Sequence, residues 1–388
     1  MLRAPLLKGR ALLASARYKG RRSLGRPAAD LAGAARRSWV VCPGGEVETI
    51  PILVAEGHLG RIRDGIGGES AGEVVEAIGG ARHPLRPATA YELDEAVLLD
   101  ASVYSGAYKH DLWRQYPRLD WLLGGPVAEL GEAALATSFS GSKWFGHWLV
   151  DELPMQVLAS RLAPPVGHVR PGYAHEPGYR SAFGIPAPPS YRAFLARKLI
   201  VVHELAHNAD KVARHLAMRE AIAPLPDGHD RIFLRRGSAW GQRRRLVNED
   251  EIARRLEPEG FVPLDPTAMT AEEILRRCKG ASMLVSLEGS HTWPGYFFMK
   301  EGGQHVTIHP PDRVSVQTCG VAPYFGLFGA LFVGEDRPGG ASLEISADPE
   351  ELARFIDRVR LGAERDPDAP RRFLDAVRAT GSPSTVSP

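Results

Sequence analysis

The chain has 388 residues, 44% of them hydrophobic and 24% charged, the proportions of a globular protein with room for two domains of ordinary size. No apolar run reaches the roughly 18 residues a membrane-spanning helix needs; Val321 to Val333 comes nearest, and it is short and contains proline. Three widely spaced cysteines, Cys42, Cys278 and Cys319, exclude a disulfide framework or a cysteine metal site and point to a reducing cytoplasm. The formal charge of +2 hides an asymmetry. Residues 1 to 37 hold ten cations (Arg3, Lys8, Arg10, Arg17, Lys19, Arg21, Arg22, Arg26, Arg36 and Arg37) against Asp30, so this segment carries +9 and the remainder −7. Nothing beyond it argues for nucleic acid.

The basic segment, residues 1–38, lacks the apolar core of a secretory signal. Three readings remain: a flexible or loosely docked tail, an organelle transit peptide, and an amphipathic segment settling on anionic lipid. The transit reading is weak, because 31 prolines and abundant Ala, Arg and Gly equally fit a GC-rich genome. From Trp39 to Ala81 the chain is glycine-rich with short β-like pieces. The run from Asp64 to Glu73 has no strong strand before it and no Lys-Ser/Thr ending, so it reads as a turn rather than a nucleotide loop. Glu95 to Tyr104 reads as a strand. A turn at Ser140-Gly141-Ser142 then precedes an apolar-periodic helix reaching Ala159 and carrying His147 and Asp151. A Pro/Gly-rich connection leads to the strand Lys198 to Val202 and a helix from Ala209 to Ala223. Pro224 to Gly228 has the composition of an interdomain linker.

Beyond it, strands at 231–235, 261–264, 282–287 and 305–308 alternate with helices at 248–257 and 270–279. Glu350 to Arg360 supplies a late amphipathic helix. Such alternation predicts a doubly wound parallel sheet. The expected division is a tail at 1–38, a domain at 39–223, a second domain at 224–365 and a Ser/Pro-rich tail at 366–388.

The most informative stretch runs from Arg231 to Phe298. The strand Arg231-Ile232-Phe233-Leu234 leads into Arg235-Arg236-Gly237-Ser238. Arg243-Arg244-Arg245 precedes Leu246-Val247-Asn248-Glu249-Asp250-Glu251 at a helix start. The strand Ser282 to Leu287 breaks at Glu288-Gly289-Ser290-His291. Guanidinium forks match pairs of phosphate oxygens, and a glycine turn can aim N–H groups at an anion. Carboxyl ends of parallel strands are where open α/β sheets bind ligands. Arg235, Arg236 and Arg245 are the expected diphosphate grip; Arg243 and Arg244 are expected to be exposed. Asn248 and Glu249 complete the group, with Asn248 capping the helix in a box with Glu251.

This block resembles the Arg-Arg…Arg-Arg-Leu-x-Asn-Glu-x-Glu signature of glycosyltransferase family 61. Gly146-His147-Trp148-Leu149-Val150-Asp151-Glu152-Leu153-Pro154 is similar to that family's other landmark. The resemblance implies a GT-B architecture, two Rossmann-like domains facing a cleft, and an inverting, metal-independent transfer. The donor would be a nucleotide sugar, UDP-linked by expectation, acting as co-substrate with no separate cofactor. The acceptor would be a saccharide, free or lipid-linked, in bacterial capsule or other cell-surface polysaccharide assembly. The chain departs from the family at one turn. Glu288 falls where the family's Gly-Pro-His-Gly-Ala-Gly has its histidine, and Ser290 where it has alanine.

Within that frame, backbone N–H groups after Gly289, with Ser290 and a protonated His291, are candidate phosphate ligands. Glu288 could hold sugar hydroxyls or act as base. His147 and Asp151, four residues apart and hence on one helix face, form the other candidate base. Trp148 reads as core. A rival reading comes from His203-Glu204-Leu205-Ala206-His207, the His-Glu-x-x-His of zinc hydrolases. Asp210 and Ala213 stand where its extended form has glycine and a third histidine. A third reading is a catalytically silent relative.

Overall fold

A computed structural model describes residues 3–113, 126–237, 244–337 and 343–381. The chain divides into two compact units, each built from separate stretches of sequence. The first comprises Met1–Gly44, Arg86–Ala174 and Ile185–Lys211; the second comprises Gly45–Leu85, His175–Gly184 and Val212–Pro388. The expected boundary after Ala223 is therefore displaced, and Pro224 to Gly228 lies inside the second unit. The Gly228 N–H donates to the Lys279 carbonyl at 2.8 Å, so this Pro/Gly stretch is a turn within a unit.

The first unit is built on an eight-stranded sheet. Its two longest strands, Ala88–Leu99 and Ala193–His203, run antiparallel, and the second is also paired in parallel with Ala128–Leu135. This mixed sheet departs from the parallel Rossmann-like arrangement expected there. Part of the reason is local. Asp100 and Ala101 both adopt positive φ, 47° and 65°, as two-residue hairpin turns require. The chain therefore folds straight back from Ala88–Leu99 into Ser102–Ser105 instead of crossing over through a helix.

The expected N-terminal tail is a helix, Arg3–Ser23. Its Ala11 is fully buried and packs with Val97, Leu99, Tyr104, Ala193 and Leu195 of the sheet. Leu7, Ala11, Ala14 and Tyr18 recur at helical spacing, which makes one apolar stripe for the sheet to cover.

The second unit holds a six-stranded, all-parallel sheet. Its strands are β1 (Leu53–Val54), β2 (Arg231–Leu234), β3 (Phe261–Leu264), β4 (Met283–Leu287), β5 (Gln304–His309) and β6 (Phe328–Val333). They lie in the order β3-β2-β4-β5-β6-β1. Strand β4 is buried at every position, as expected of an interior parallel strand. On one face Val285, Val306 and Phe332 pack with Ile252 and Leu256 of helix Glu249–Leu256 and with Leu352 and Ile356 of helix Pro349–Arg365. On the other, Gly295 of the short helix Gly295–Phe298 sits against Leu284. After β2 the chain moves outward to β3, then returns across β2 to β4. The direction of winding thus changes between β2 and β4, and such a crevice is where doubly wound sheets bind ligands.

Residues 45–85 belong here because β1 pairs with β6 and His58 fastens the segment. The buried His58 accepts the Val333 N–H at Nδ1 and meets Glu351 at Nε2, each at 3.0 Å. The expected C-terminal tail is also largely structured. Helix Ala369–Thr380 buries Phe373, Leu374 and Val377, and the Phe373 ring meets Tyr324 edge-on at 4.9 Å. Residues 382–388 lie outside the described residues. Truncating Phe373 to Ala should cost about 3 kcal/mol of stability in urea unfolding, whereas a loosely attached tail would leave the midpoint unchanged.

Candidate functional site

Three guanidiniums converge at the carboxyl ends of β2, β4 and β5. Arg236 follows β2, Arg313 lies beyond β5, and Arg244 precedes the short strand Arg245–Leu246. Their meeting point is Glu288, immediately after β4 and only 3% exposed. Glu288 Oε1 lies 2.7 Å from Arg244 Nε and 3.3 Å from Arg313 Nε. Arg236, 4% exposed, donates through Nη1 to the Glu288 carbonyl at 3.3 Å. Gly289, with φ of 149°, brings its backbone against that guanidinium; a Cβ there would overlap Arg236 Nη1.

Cations outnumber carboxylates in this cluster. Glu249, the next carboxylate, accepts the main-chain N–H groups of Arg236 at 2.9 Å and Gly237 at 3.4 Å. Burial depresses the pKa values of Arg236 and Arg244; the attraction of Glu288 opposes it, and repulsion from neighbouring guanidiniums adds to it. Arg244 is brought down to about 10 by burial and by Arg236 and Arg313. Arg236 is lowered chiefly by burial, with Arg313 adding to it. Guanidinium charge gathered in this way can receive an anion.

His291 supports Arg236 from below. Its Nδ1 faces Arg236 Nη1 at 3.4 Å and its Nε2 meets Ser286 Oγ at 2.9 Å, while Ser286 Oγ donates to the Leu234 carbonyl at 2.6 Å. Arginine can only donate, so Nδ1 accepts and Nε2 carries the proton. Burial, then Arg236 and Arg244, hold the His291 pKa far below its ordinary value. The protonated phosphate donor expected from sequence is therefore replaced by a neutral histidine that positions Arg236.

In the first unit, His147 and Asp151 meet as their spacing predicts, Nδ1 to Oδ2 at 2.6 Å. Asp151 lies in a single wide π turn, Trp148–Glu152, a distortion that often marks working sites. Its second oxygen, Oδ1, accepts from Lys211 Nζ at 2.5 Å. Burial would raise the Asp151 pKa, but Lys211 and then His147 outweigh it and hold the carboxyl far below the usual range. A permanent carboxylate fixes the His147 proton on Nδ1 and places the lone pair on Nε2. Trp148 is fully buried, as expected of core, whereas Trp144 is 41% exposed with its ring centroid 5.5 Å from that of His147.

Residues 145–306 match the family model Glycosyltransferase 61. The chain carries a glycosyltransferase family 61 domain. No curated protein matches the chain. The matched segment of this glycosyltransferase contains His147, Asp151, Arg236, Arg244 and Glu288 and ends before Arg313.

Among the residues expected to grip phosphate, the transferase brings together Arg236, Gly289 and His291 around Glu288. Others stand aside. Arg235 turns to Asp250 at 2.6 Å, and Arg245 is exposed. Asn248 makes no capping bond; its amide pairs with both the C=O and the N–H of Ala347, at 2.8 and 3.3 Å, and that two-point grip displaces the expected box. Ser290 is half-buried at the start of a single turn, Ser290–Thr292. Glu288 sits between two guanidiniums as their counter-ion. Arg244 is buried, contrary to expectation, and Arg243 lies outside the described residues.

Sequence reasoning missed Arg313, Lys211 and Trp144. Arg313 sits in the loop after β5, at the same sheet end as Arg236 and Glu288, and that position was the signal that could have found it. A lysine in the first turn of a helix opposes the dipole, and this hints that Lys211 has a partner elsewhere. Nothing in the sequence marks Trp144 as the exposed indole. The His-Glu-x-x-His motif is not helical: His203 ends a strand and residues 204–208 form a loop, so helical spacing does not bring its two histidines together.

Two outcomes are expected. Glu288→Gln should destabilise the second unit by about 3 kcal/mol in urea unfolding, and inorganic pyrophosphate should restore part of that loss; indifference to the anion would contradict an anion site. Buried His305 and His309, both pushed down to about 3 mainly by burial, are neutral in the native state. Their folded pKa values lie below the unfolded value, so the stability they contribute is complete above about pH 6.5 and is lost as pH falls toward 3. Urea titrations across that window should show the decline.

Proposed function

We propose that the glycosyltransferase uses a nucleotide-sugar donor, UDP-linked, whose diphosphate is held by Arg236, Arg244 and Arg313. The observation that carries this reading is the buried excess of guanidinium charge at the β2/β4 switch point. A diphosphate entering there would neutralise the cluster and draw on Arg244 and Arg313, now closed on Glu288. Because the leaving diphosphate gains negative charge as the glycosidic bond breaks, the same guanidiniums would favour the transition state over the ground state. Three fixed cations can do this without a metal ion, in keeping with the metal-independent chemistry that the family resemblance implies.

On the acceptor side, His147 Nε2 takes the proton of a saccharide hydroxyl as it attacks the anomeric carbon from the face opposite the diphosphate, with inversion. Asp151 holds the imidazole in the required tautomer and steadies the imidazolium that forms, while Lys211 keeps Asp151 ionised. The exposed face of Trp144 offers a stacking surface for a pyranose ring. Of the GT-B architecture, the second unit's all-parallel sheet supports the Rossmann-like half that would hold the donor, and the first unit's mixed sheet does not supply the other. Assembly of a cell-surface polysaccharide at the cytoplasmic side of a bacterial membrane also belongs to this proposal, supported by the resemblance and by three buried free cysteines. No observation favours hydrolysis at His203 and His207.

Arg236→Ala and Arg313→Ala should each weaken UDP binding by at least about tenfold in calorimetry, consistent with losing a charge-assisted phosphate contact. Their melting curves serve as the folding control. His147→Ala should keep UDP affinity and lose roughly a hundredfold or more in turnover, the usual contribution of a positioned base. Wild-type UDP affinity in both arginine variants would refute the donor assignment.

A further inference from the structure

The helix Arg3–Ser23 has a second face that the fold does not use. Its inner stripe is covered by the sheet, while Leu12 and Leu13 are 40% and 47% exposed and Leu24, just beyond, is 74% exposed. A helix advances about 100° per residue, so Gly9, Leu13, Ala16 and Gly20 point directly away from Ala11 and Tyr18. A Cβ at Gly9 or Gly20 would meet nothing within 4 Å. This outer strip is flanked on one side by Arg10, Arg17 and Arg21 and on the other by Lys8 and Lys19. The helix contains seven cations and no carboxylate. Arg10 is paired with Glu95 at 2.5 Å. Among the described residues Arg17, Lys19 and Arg21 have no ion-pair partner.

We propose that this outer face is a docking surface for an anionic lipid bilayer, held parallel to the membrane plane. Leu12 and Leu13 enter the boundary between headgroups and acyl chains. The cations along both edges extend their aliphatic stems over that boundary and place their charges among lipid phosphates. No helix among the described residues is long and apolar enough to cross a membrane, so the attachment is peripheral. Charge complementarity selects the lipid: the helix is wholly cationic, and its exposed leucines gain nothing from a polar polyanion such as RNA. Docking through the outer stripe leaves the inner packing on the sheet undisturbed.

The test is co-sedimentation of the full chain with vesicles of phosphatidylcholine alone and of phosphatidylcholine with about one third phosphatidylglycerol. The protein should pellet with the anionic vesicles and stay in solution with the neutral ones. The double variant Arg17→Glu/Arg21→Glu should lose affinity on the order of tenfold or more, and Leu12→Ser/Leu13→Ser should weaken binding while melting as the wild type does. Arg17→Lys/Arg21→Lys should keep binding, which separates loss of charge from loss of fold. A wild-type protein that ignores anionic vesicles, binds neutral ones equally, or prefers an RNA oligonucleotide would overturn the proposal. The assay reads binding alone, so its failure would leave the donor-site reading standing.

Discussion

Like charges resist burial together, and this chain nevertheless gathers three guanidiniums at Glu288, with Arg236 and Arg244 buried and Arg313 half-buried. Arg236, Arg244 and Arg313 reach Glu288 from three different loops, and the parallel sheet makes that meeting possible by ending β2, β4 and β5 at a common rim. The crossing of the chain from β3 back over β2 opens the crevice there. The glycine at 289 lets a backbone lie against Arg236, and neutral His291 steadies the same guanidinium. Cations gathered in this way are costly to keep from water, and an incoming anion would offset that cost.

A second arrangement obeys the same logic with opposite sign. Lys211 is buried and faces a single carboxylate oxygen, while the other oxygen of Asp151 holds His147. The lysine stabilises the ionised carboxylate, and the carboxylate orients the imidazole. The π turn at Trp148–Glu152 carries this Asp151, and the neighbouring Glu152 turns inward to accept the Ser138 N–H at 2.7 Å. Two adjacent carboxylates in one motif thus take different partners, Asp151 an imidazole and a lysine and Glu152 the main chain.

Much of this can be read from the sequence where period and order carry the information. The strands β2 to β5, the helix around 249–256 and the placement of Arg236 and the Glu288 turn at strand ends all come from alternation of apolar runs with helical segments. The divided units cannot be read, because β1 and His58 join the second unit from far upstream and contiguity is the default expectation. The first unit's mixed sheet is hidden for a related reason: positive φ at Asp100 and Ala101 decides a hairpin, and neither residue is a glycine. Within the run Arg243-Arg244-Arg245, composition cannot say which arginine turns inward; the pairing of Arg245–Leu246 with Glu344–Ser346 does. The terminal helices look like tails in sequence for two reasons. Charge masks the spacing of Leu7, Ala11, Ala14 and Tyr18, and Phe373, Leu374 and Val377 precede a Ser/Pro-rich end.

The central claim concerns where one anion rests, and a crystal structure of the protein with UDP bound addresses it directly. Both phosphates should lie beyond β2 and β4, with Arg236, Arg244 and Arg313 reaching their oxygens and the guanidinium contacts to Glu288 loosened. A diphosphate bound away from that rim, with Arg244 and Arg313 still closed on Glu288, would contradict the claim.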